Sequence, residues 1–217
     1  MSSQQTVEGV ESMNHAYVLV LSCLLLSSCA KVPIQEMSDA RQALKAAYIA
    51  KANEYSPESL TKAEENLTLA EQNLASGYLE QARQDAVMSK QHAVQAYKMA
   101  SAIERAQTIW QTISELIYSE YEVNRLIKKA QNAASDNNLN SVLHFANEAY
   151  QRGEEVLNKL RLKHAQQLIE QLDNMTLLPE EMTSLRTAKA AYDNQEGQQA
   201  YDLAKELLEQ IGQRLTH

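Results

Sequence analysis

Apolar side chains recur every three or four positions along most of the chain. Between Pro57 and Ser76 these positions are Leu60, Ala63, Leu67, Ala70 and Leu74. This spacing places them on one face of an α-helix and forms the seam of a coiled coil. Only five glycines and three prolines interrupt the 217 residues, which disfavours sheets and tight turns. We therefore predict an all-α protein built from elongated, antiparallel helical hairpins.

The predicted helices are bounded by the few turn-forming stretches. They cover residues 38–55, 57–75, 79–134, 139–174 and 179–193, and a last helix follows Gly197 and reaches Leu215. Ser38 and Ser56 stand where a hydroxyl can cap a helix N-terminus. Pro57 suits the first position of the helix that follows it.

The longest helical stretch leaves two alternatives open. After Leu79 no glycine or proline occurs before Gly153. Residues 79–134 therefore form either one straight helix or two helices with a bend between Ser114 and Glu122.

Three helical hairpins share one register. Their anchors are Ala70, Ala130 and Ala188, spaced 60 and 58 residues apart. Residues three before and four, twelve, sixteen and nineteen after each anchor also match: Leu67, Ile127 and Leu185; Leu74, Ala134 and Tyr192; Ala82, Val142 and Ala200; Ala86, Ala146 and Ala204; Ser89, Ala149 and Leu207. A nearly constant period indicates an internal repeat, although any Ala-rich helical chain produces some such matches by chance.

These offsets resemble those of tetratricopeptide repeats (TPR), in which small residues lie at the equivalent helix crossings. The resemblance implies TPR-like packing of the hairpins. The period here is much longer than the usual period of about 34 residues. Alanine also stands in all three units at the sixteen-residue offset, where an aromatic residue is expected. We therefore expect similar hairpin packing rather than membership of that family.

An apolar run from Tyr17 to Leu26 precedes the helical region. It is too short to span a bilayer but has the length of a secretory signal core. The sequence Leu26-Ser27-Ser28-Cys29 resembles the bacterial lipobox, which implies cleavage before Cys29 and covalent lipid on its thiol. Residues 1–28 are thus predicted to be a signal peptide, the alternative being an ordinary apolar segment with a chance cysteine. Because no Lys or Arg precedes the run, we hypothesise that translation starts at Met13.

A lipid on Cys29 would decide where the mature chain lies. Two or three acyl chains hold a protein almost irreversibly at a membrane surface. Ala30 follows the cysteine, and the sorting rule of Gram-negative lipoproteins then implies the outer membrane, facing the periplasm. Residues 29–37 are predicted to be a lipidated tether.

The first predicted hairpin resembles DUF4398, a bacterial envelope domain family of unknown function. The matching residues are Asp39-Ala40-Arg41-Gln42-Ala43, Tyr55-Ser56-Pro57-Glu58, Lys62-Ala63, Leu67 to Glu71, Gly77 and Ala82-Arg83. The resemblance implies a helical-hairpin domain over residues 38–105, with further hairpins over 106–217. Family members are commonly lipoproteins, and several carry a peptidoglycan-binding domain. Because residues 100–217 show no sheet pattern, peptidoglycan binding is not carried over.

The sequence offers no recognisable catalytic or metal-binding motif. His92, His144, His164 and His217 are scattered, and none has a partner at the spacing of a helical zinc site. Carboxylate pairs such as Glu180-Glu181 are read as solvated faces or first-turn charges. We expect neither enzymatic activity nor a cofactor other than the lipid on Cys29.

The aromatic residues Trp110, Tyr118 and Tyr121 have two interpretations. They fit packing between helices, and they are also the first candidates for a partner surface if exposed. Because the net charge is −8 and no basic patch is concentrated in the sequence, nucleic acid is not an expected partner.

The function expected from these features is that of a membrane-anchored periplasmic lipoprotein. It would act as a non-enzymatic helical scaffold, spacer or adaptor that contacts other envelope proteins through helix packing. The alternative is a TPR-like module that binds a peptide or protein during envelope assembly or secretion.

Overall fold

The computed structural model describes residues 31–116 and 121–216, and within these ranges it contains only helices and the turns between them. The helices are α1 (Ile34–Ile49), α2 (Ala52–Tyr55), α3 (Pro57–Ala75), α4 (Leu79–Leu116), α5 (Tyr121–Ser135), α6 (Leu139–Asp173), α7 (Pro179–Asp193) and α8 (Gly197–Thr216). The all-α prediction is confirmed. The predicted signal peptide and Cys29 lie outside the described residues.

Helix α1 begins at Ile34, four residues before the predicted N-cap Ser38. The predicted tether, residues 29–37, therefore overlaps the helix. The early start has a physical reason in Met37, which is buried against one alanine of α3 and one of α4. Burial of this side chain stabilises an additional turn that the sequence pattern did not reveal.

The turn before α3 differs from the prediction in one detail. Pro57 occupies the first position of α3, as expected, and Ser56 is the N-cap residue. The Ser56 hydroxyl makes no capping hydrogen bond, however. Its Oγ lies 3.3 Å from the buried Sδ of Met99. The capping prediction was wrong because this side chain is used in packing against α4.

The long run over residues 79–134 is divided into two helices. α4 ends at Leu116, and α5 begins at Tyr121 and packs back against α4. A single straight helix would expose the apolar face of α5, which is buried at Val123, Leu126 and Ile127. The bend that the sequence allowed is therefore confirmed. The predicted domain boundary after residue 105 falls inside α4.

The helices form three three-helix bundles that share their long helices. Bundle one consists of α1, α3 and the first half of α4, with α2 at its end. Bundle two consists of the second half of α4, α5 and the first half of α6. Bundle three consists of the second half of α6, α7 and α8. Alanines fill much of each core, and their small side chains let the helices approach closely.

The three hairpin turns have the same backbone structure. Each first helix ends five residues after its anchor and each second helix begins nine residues after it. The residue seven after the anchor has a positive φ in every turn: Gly77 (80°), Asn137 (54°) and Gln195 (62°). Its N–H donates to the carbonyl three residues earlier, and the next N–H donates to the carbonyl five residues earlier. This pattern is a Schellman motif.

The repeat predicted from the sequence is therefore present in the structure. The three anchors are buried, as are all nine residues at the twelve-, sixteen- and nineteen-residue offsets. The long period also has a cause. The second helices α4, α6 and α8 pack side by side in parallel, and α4 and α6 are 38 and 35 residues long because each serves two bundles.

Gly153 allows the close approach of α6 to α4. A Cβ atom at this position would lie 2.8 Å from Cγ2 and 2.9 Å from Cγ1 of Ile109. A Cβ atom added to Gly212, on α8, would meet no other atom within 4 Å. The two helical glycines therefore differ in packing but not in backbone conformation.

We expect Gly153→Ala and Gly212→Ala to change stability in opposite directions. Alanine in place of a helical glycine contributes about 1 kcal/mol of helix propensity, which Gly212→Ala should gain. At Gly153 the contact with Ile109 should outweigh this gain and lower the free energy of unfolding by roughly 1 kcal/mol. Urea denaturation followed by circular dichroism measures both values. Equal shifts of the same sign would contradict the close approach.

Candidate functional site

The sequence-predicted surface residues are not gathered into one site. Trp110 is half-buried and packs against the core of bundle two. Tyr121, the first residue of α5, is 77% exposed. Tyr118 and Cys29 lie outside the described residues. Of the three aromatic residues predicted as a partner surface, only Tyr121 is largely exposed in the described part of the chain.

The histidines lie apart from one another. His144 is exposed, and His164 is half-buried with its ring centroid 6.2 Å from that of Tyr201. His92 is half-buried and its Nδ1 lacks a hydrogen-bond partner. His217 lies outside the described residues. In residues 31–116 and 121–216, no group of three or more His, Cys, Asp or Glu side chains is placed to hold a metal ion.

Two of the perturbed pKa values belong to surface ion pairs that link α4 to α1 and to the turn between α1 and α2. The Lys90 ammonium donates to Asp39 at 2.7 Å and lowers the pKa of that carboxyl group. The Glu104 carboxylate lies 2.8 Å from Lys51 Nζ and raises the pKa of the ammonium group. These side chains lie at the surface, so each pair contributes little stability. They nevertheless show that α1 and α4 run parallel.

A groove of about 830 Å³ lies between α6 and α8, on the side away from α7. His164 and Leu168 line it from α6, and Tyr201, Lys205 and Leu208 line it from α8. The groove combines apolar surface with both donors and acceptors. A peptide-binding groove has this chemistry.

A smaller groove of about 450 Å³ lies between α4 and α6. The Arg105 guanidinium stands over the Tyr150 ring, 5.7 Å from its centroid. A hydrogen bond with Glu154 raises the pKa of the Tyr150 hydroxyl. The two grooves arise for the same reason, because parallel second helices lie side by side in both places.

The end of bundle three exposes large apolar side chains. They are Met175, Leu178, Met182 and Leu215. Beneath them the buried carboxylate of Glu181 accepts the backbone N–H of Leu178 at 2.7 Å and pairs with Arg214 Nε at 3.2 Å. We refer to this end of the molecule, formed by residues 173–182 and the end of α8, as the tip.

Sequence reasoning did not identify the tip as a surface. The Glu180-Glu181 pair was predicted to be a solvated face or a pair of first-turn charges. Glu181 lies in the first turn of α7, but it is buried rather than solvated, and it fixes the loop before α7. The signal was present in the sequence: a glutamate at the third helical position commonly accepts the N-cap N–H. The exposed methionines carried no such signal, because helical periodicity alone places Met182 near the apolar stripe.

Comparison with known proteins identifies no relative. No family model, curated protein or solved structure matches the chain. In the part of the chain that the structure describes, no helix has the length and apolar composition needed to cross a membrane.

Proposed function

We propose that this protein is a lipid-anchored spacer or adaptor of the bacterial envelope, without enzymatic activity. Cys29 would carry the lipid and hold the chain at the periplasmic face of the outer membrane. The proposal is supported chiefly by the sharing of α4 and α6 between bundles, which extends the molecule in one direction. A compact globule would not need helices of 38 and 35 residues.

The direction of the array follows from contacts between parallel helices. Asp39 lies beside Lys90, Arg105 beside Asn147, and Asn158 beside Gly197. The starts of α6 and α8 therefore lie partway along α4 and α6, respectively, and successive starts are about 30 Å apart at 1.5 Å per residue. From the start of α1 to the tip, the helices rise on the order of 80 Å.

In this arrangement the start of α1 and the tip lie at opposite ends of the described helices. Only residues 30–33 separate Cys29 from α1, so a lipid on Cys29 would hold bundle one close to the membrane surface. The tip would then lie far from the membrane. Its exposed methionines and leucines are side chains typical of surfaces that contact other proteins.

A second candidate function is a TPR-like peptide-binding module. The groove between α6 and α8 favours it, because His164, Tyr201 and Lys205 offer polar contacts beside Leu168 and Leu208. In this case a partner would lie along the side of bundle three rather than at the tip.

Replacement of Cys29 tests the anchor. In cells we expect Cys29→Ala to move the protein from the membrane fraction to the soluble fraction, because the lipid would have no attachment site. Helix content, measured by circular dichroism on the purified protein, should not change. The matched control is Cys23→Ala, which lies in the predicted signal peptide and should leave the protein in the membrane fraction. Membrane association of the Cys29→Ala variant would overturn the anchor proposal.

A further inference from the structure

The first junction between bundles is held by side chains from both bundles. Met99 of α4 belongs to the core of bundle two, whereas the adjacent Ala100 belongs to that of bundle one. At this level Gln95 Nε2 donates to the backbone carbonyl of Asn137 at 3.3 Å and to its Oδ1 at 3.0 Å. The buried Ser59 hydroxyl, from α3, also donates to Asn137 Oδ1. Asn137 is the left-handed residue of the α5–α6 turn.

The second junction repeats this arrangement. Asn158, on α6, donates from Nδ2 to the backbone carbonyl of Gln195 at 3.1 Å. Gln195 is the left-handed residue of the α7–α8 turn. The Asn158 Oδ1 accepts the N–H of Gly197 at 2.9 Å. The fit is close, since a Cβ atom on Gly197 would lie 2.4 Å from this oxygen.

In both junctions, an amide side chain of the previous long helix binds the carbonyl of the left-handed turn residue. The Gly197 N–H belongs to the first turn of α8, where backbone donors have no partner within their own helix. Asn158 therefore caps α8 from a different helix. These amide contacts, made by Gln95 and Asn158, are called the junction clamps below.

We infer that the three bundles form one rigid strut, and that the junction clamps fix the angle between successive bundles. A shared helix alone leaves the next hairpin free to pivot about the axis of that helix, and helices bend where packing permits. The clamps add a second attachment point away from that axis. The turn carbonyls and the Gly197 N–H would each lose a protein partner if the angle changed.

This inference goes beyond the proposed function because it concerns only the geometry of the polypeptide. A rigid strut could exist without a lipid anchor, and an anchored protein could be jointed. The experiment therefore uses the full chain without lipid, with Cys23→Ser and Cys29→Ser, purified in mild detergent. If the rigid strut were disproved, the expected membrane fractionation of the Cys29→Ala variant would be unaffected.

Spin-label distances test the rigidity. Labels on Lys45→Cys and Gln199→Cys, both exposed, report the distance between bundles one and three. A second pair, Lys45→Cys with Glu65→Cys, reports a distance within bundle one. We expect one narrow distance distribution for each pair. With Gln95→Ala and Asn158→Ala together, the distribution between bundles should become roughly twice as wide, as for a hinge, while the distribution within bundle one stays narrow.

Asn140→Ala is the matched control, because Asn140 is exposed near the start of the same helix as Asn158. It should leave both distributions unchanged. Amide exchange gives a second measure that tolerates partial loss of stability: the Gly197 N–H should exchange faster in Asn158→Ala than in Asn140→Ala. A broad distribution between bundles in the unsubstituted protein would overturn the strut. A distribution that stays narrow without the clamps would show that the shared helices alone fix the angle.

Discussion

Replacing Ile103 with alanine is expected to lower the free energy of unfolding by about 2–5 kcal/mol. Ile103 is fully buried in bundle two, where α4, α5 and α6 meet. Alanine would remove three carbon atoms from a core in which seven of the other twelve buried residues are themselves alanines. Short alanine side chains cannot move into the space, so a cavity should remain. The loss should therefore exceed the transfer free energy of the missing carbons.

Ile49→Ala is the matched control for this substitution. Ile49 ends α1 and is 73% exposed, so its truncation should change stability by less than about 0.5 kcal/mol. Chemical denaturation of both variants, monitored at 222 nm, gives the two free energies. A loss at Ile103 no larger than that at Ile49 would mean that bundle two does not pack as described.

Replacing Ala188 with leucine should lower the free energy of unfolding by about 1–3 kcal/mol. Ala188 is the anchor of the third hairpin and is fully buried between α7 and its neighbours. A leucine at this position would force α7 away from α6 and α8. Ala190 lies two residues further along α7 and is exposed. Ala190→Leu makes the same chemical change in the same helix, so it serves as the matched control.

We therefore expect Ala190→Leu to leave the unfolding transition nearly unchanged, while Ala188→Leu shifts it to lower urea concentration. The pair isolates packing from helix propensity because both positions lie within one helix. If the two variants unfolded at the same urea concentration, the register derived for the repeat would be wrong.

The repeat could be predicted from the sequence because three hairpins solve the same packing problem in the same way. Close helix crossings admit only small side chains, so alanine or valine stands at the twelve- and sixteen-residue offsets. The turns were less readable. Gly77 and Asn137 are residue types that commonly take the left-handed conformation, whereas Gln195 takes a positive φ without a local preference for it.

The arrangement of the hairpins could not be derived from the pattern alone. Periodicity shows which face of α4 is apolar, but not that its two halves pack in different bundles. The reversal after Leu116 lacks glycine or proline and follows from burial of Val123 and its neighbours. The polar contacts of the junctions depend on residues far apart in sequence, such as Ser59 and Asn137, and no local signal connects them.

The unequal helix lengths determine how this molecule could change its reach during evolution. The array opens with a 16-residue helix and closes with a 20-residue helix, about half the length of α4 and α6. The unit between these two helices repeats the same hairpin and turn, so it is interchangeable in principle with a copy of itself. Duplicating one unit of 58 to 60 residues would add a single step of about 30 Å and leave both ends as they are. Insertions of other sizes would separate the junction clamp of a long helix from the turn carbonyl that it binds. The length of such a molecule can therefore grow only by whole units.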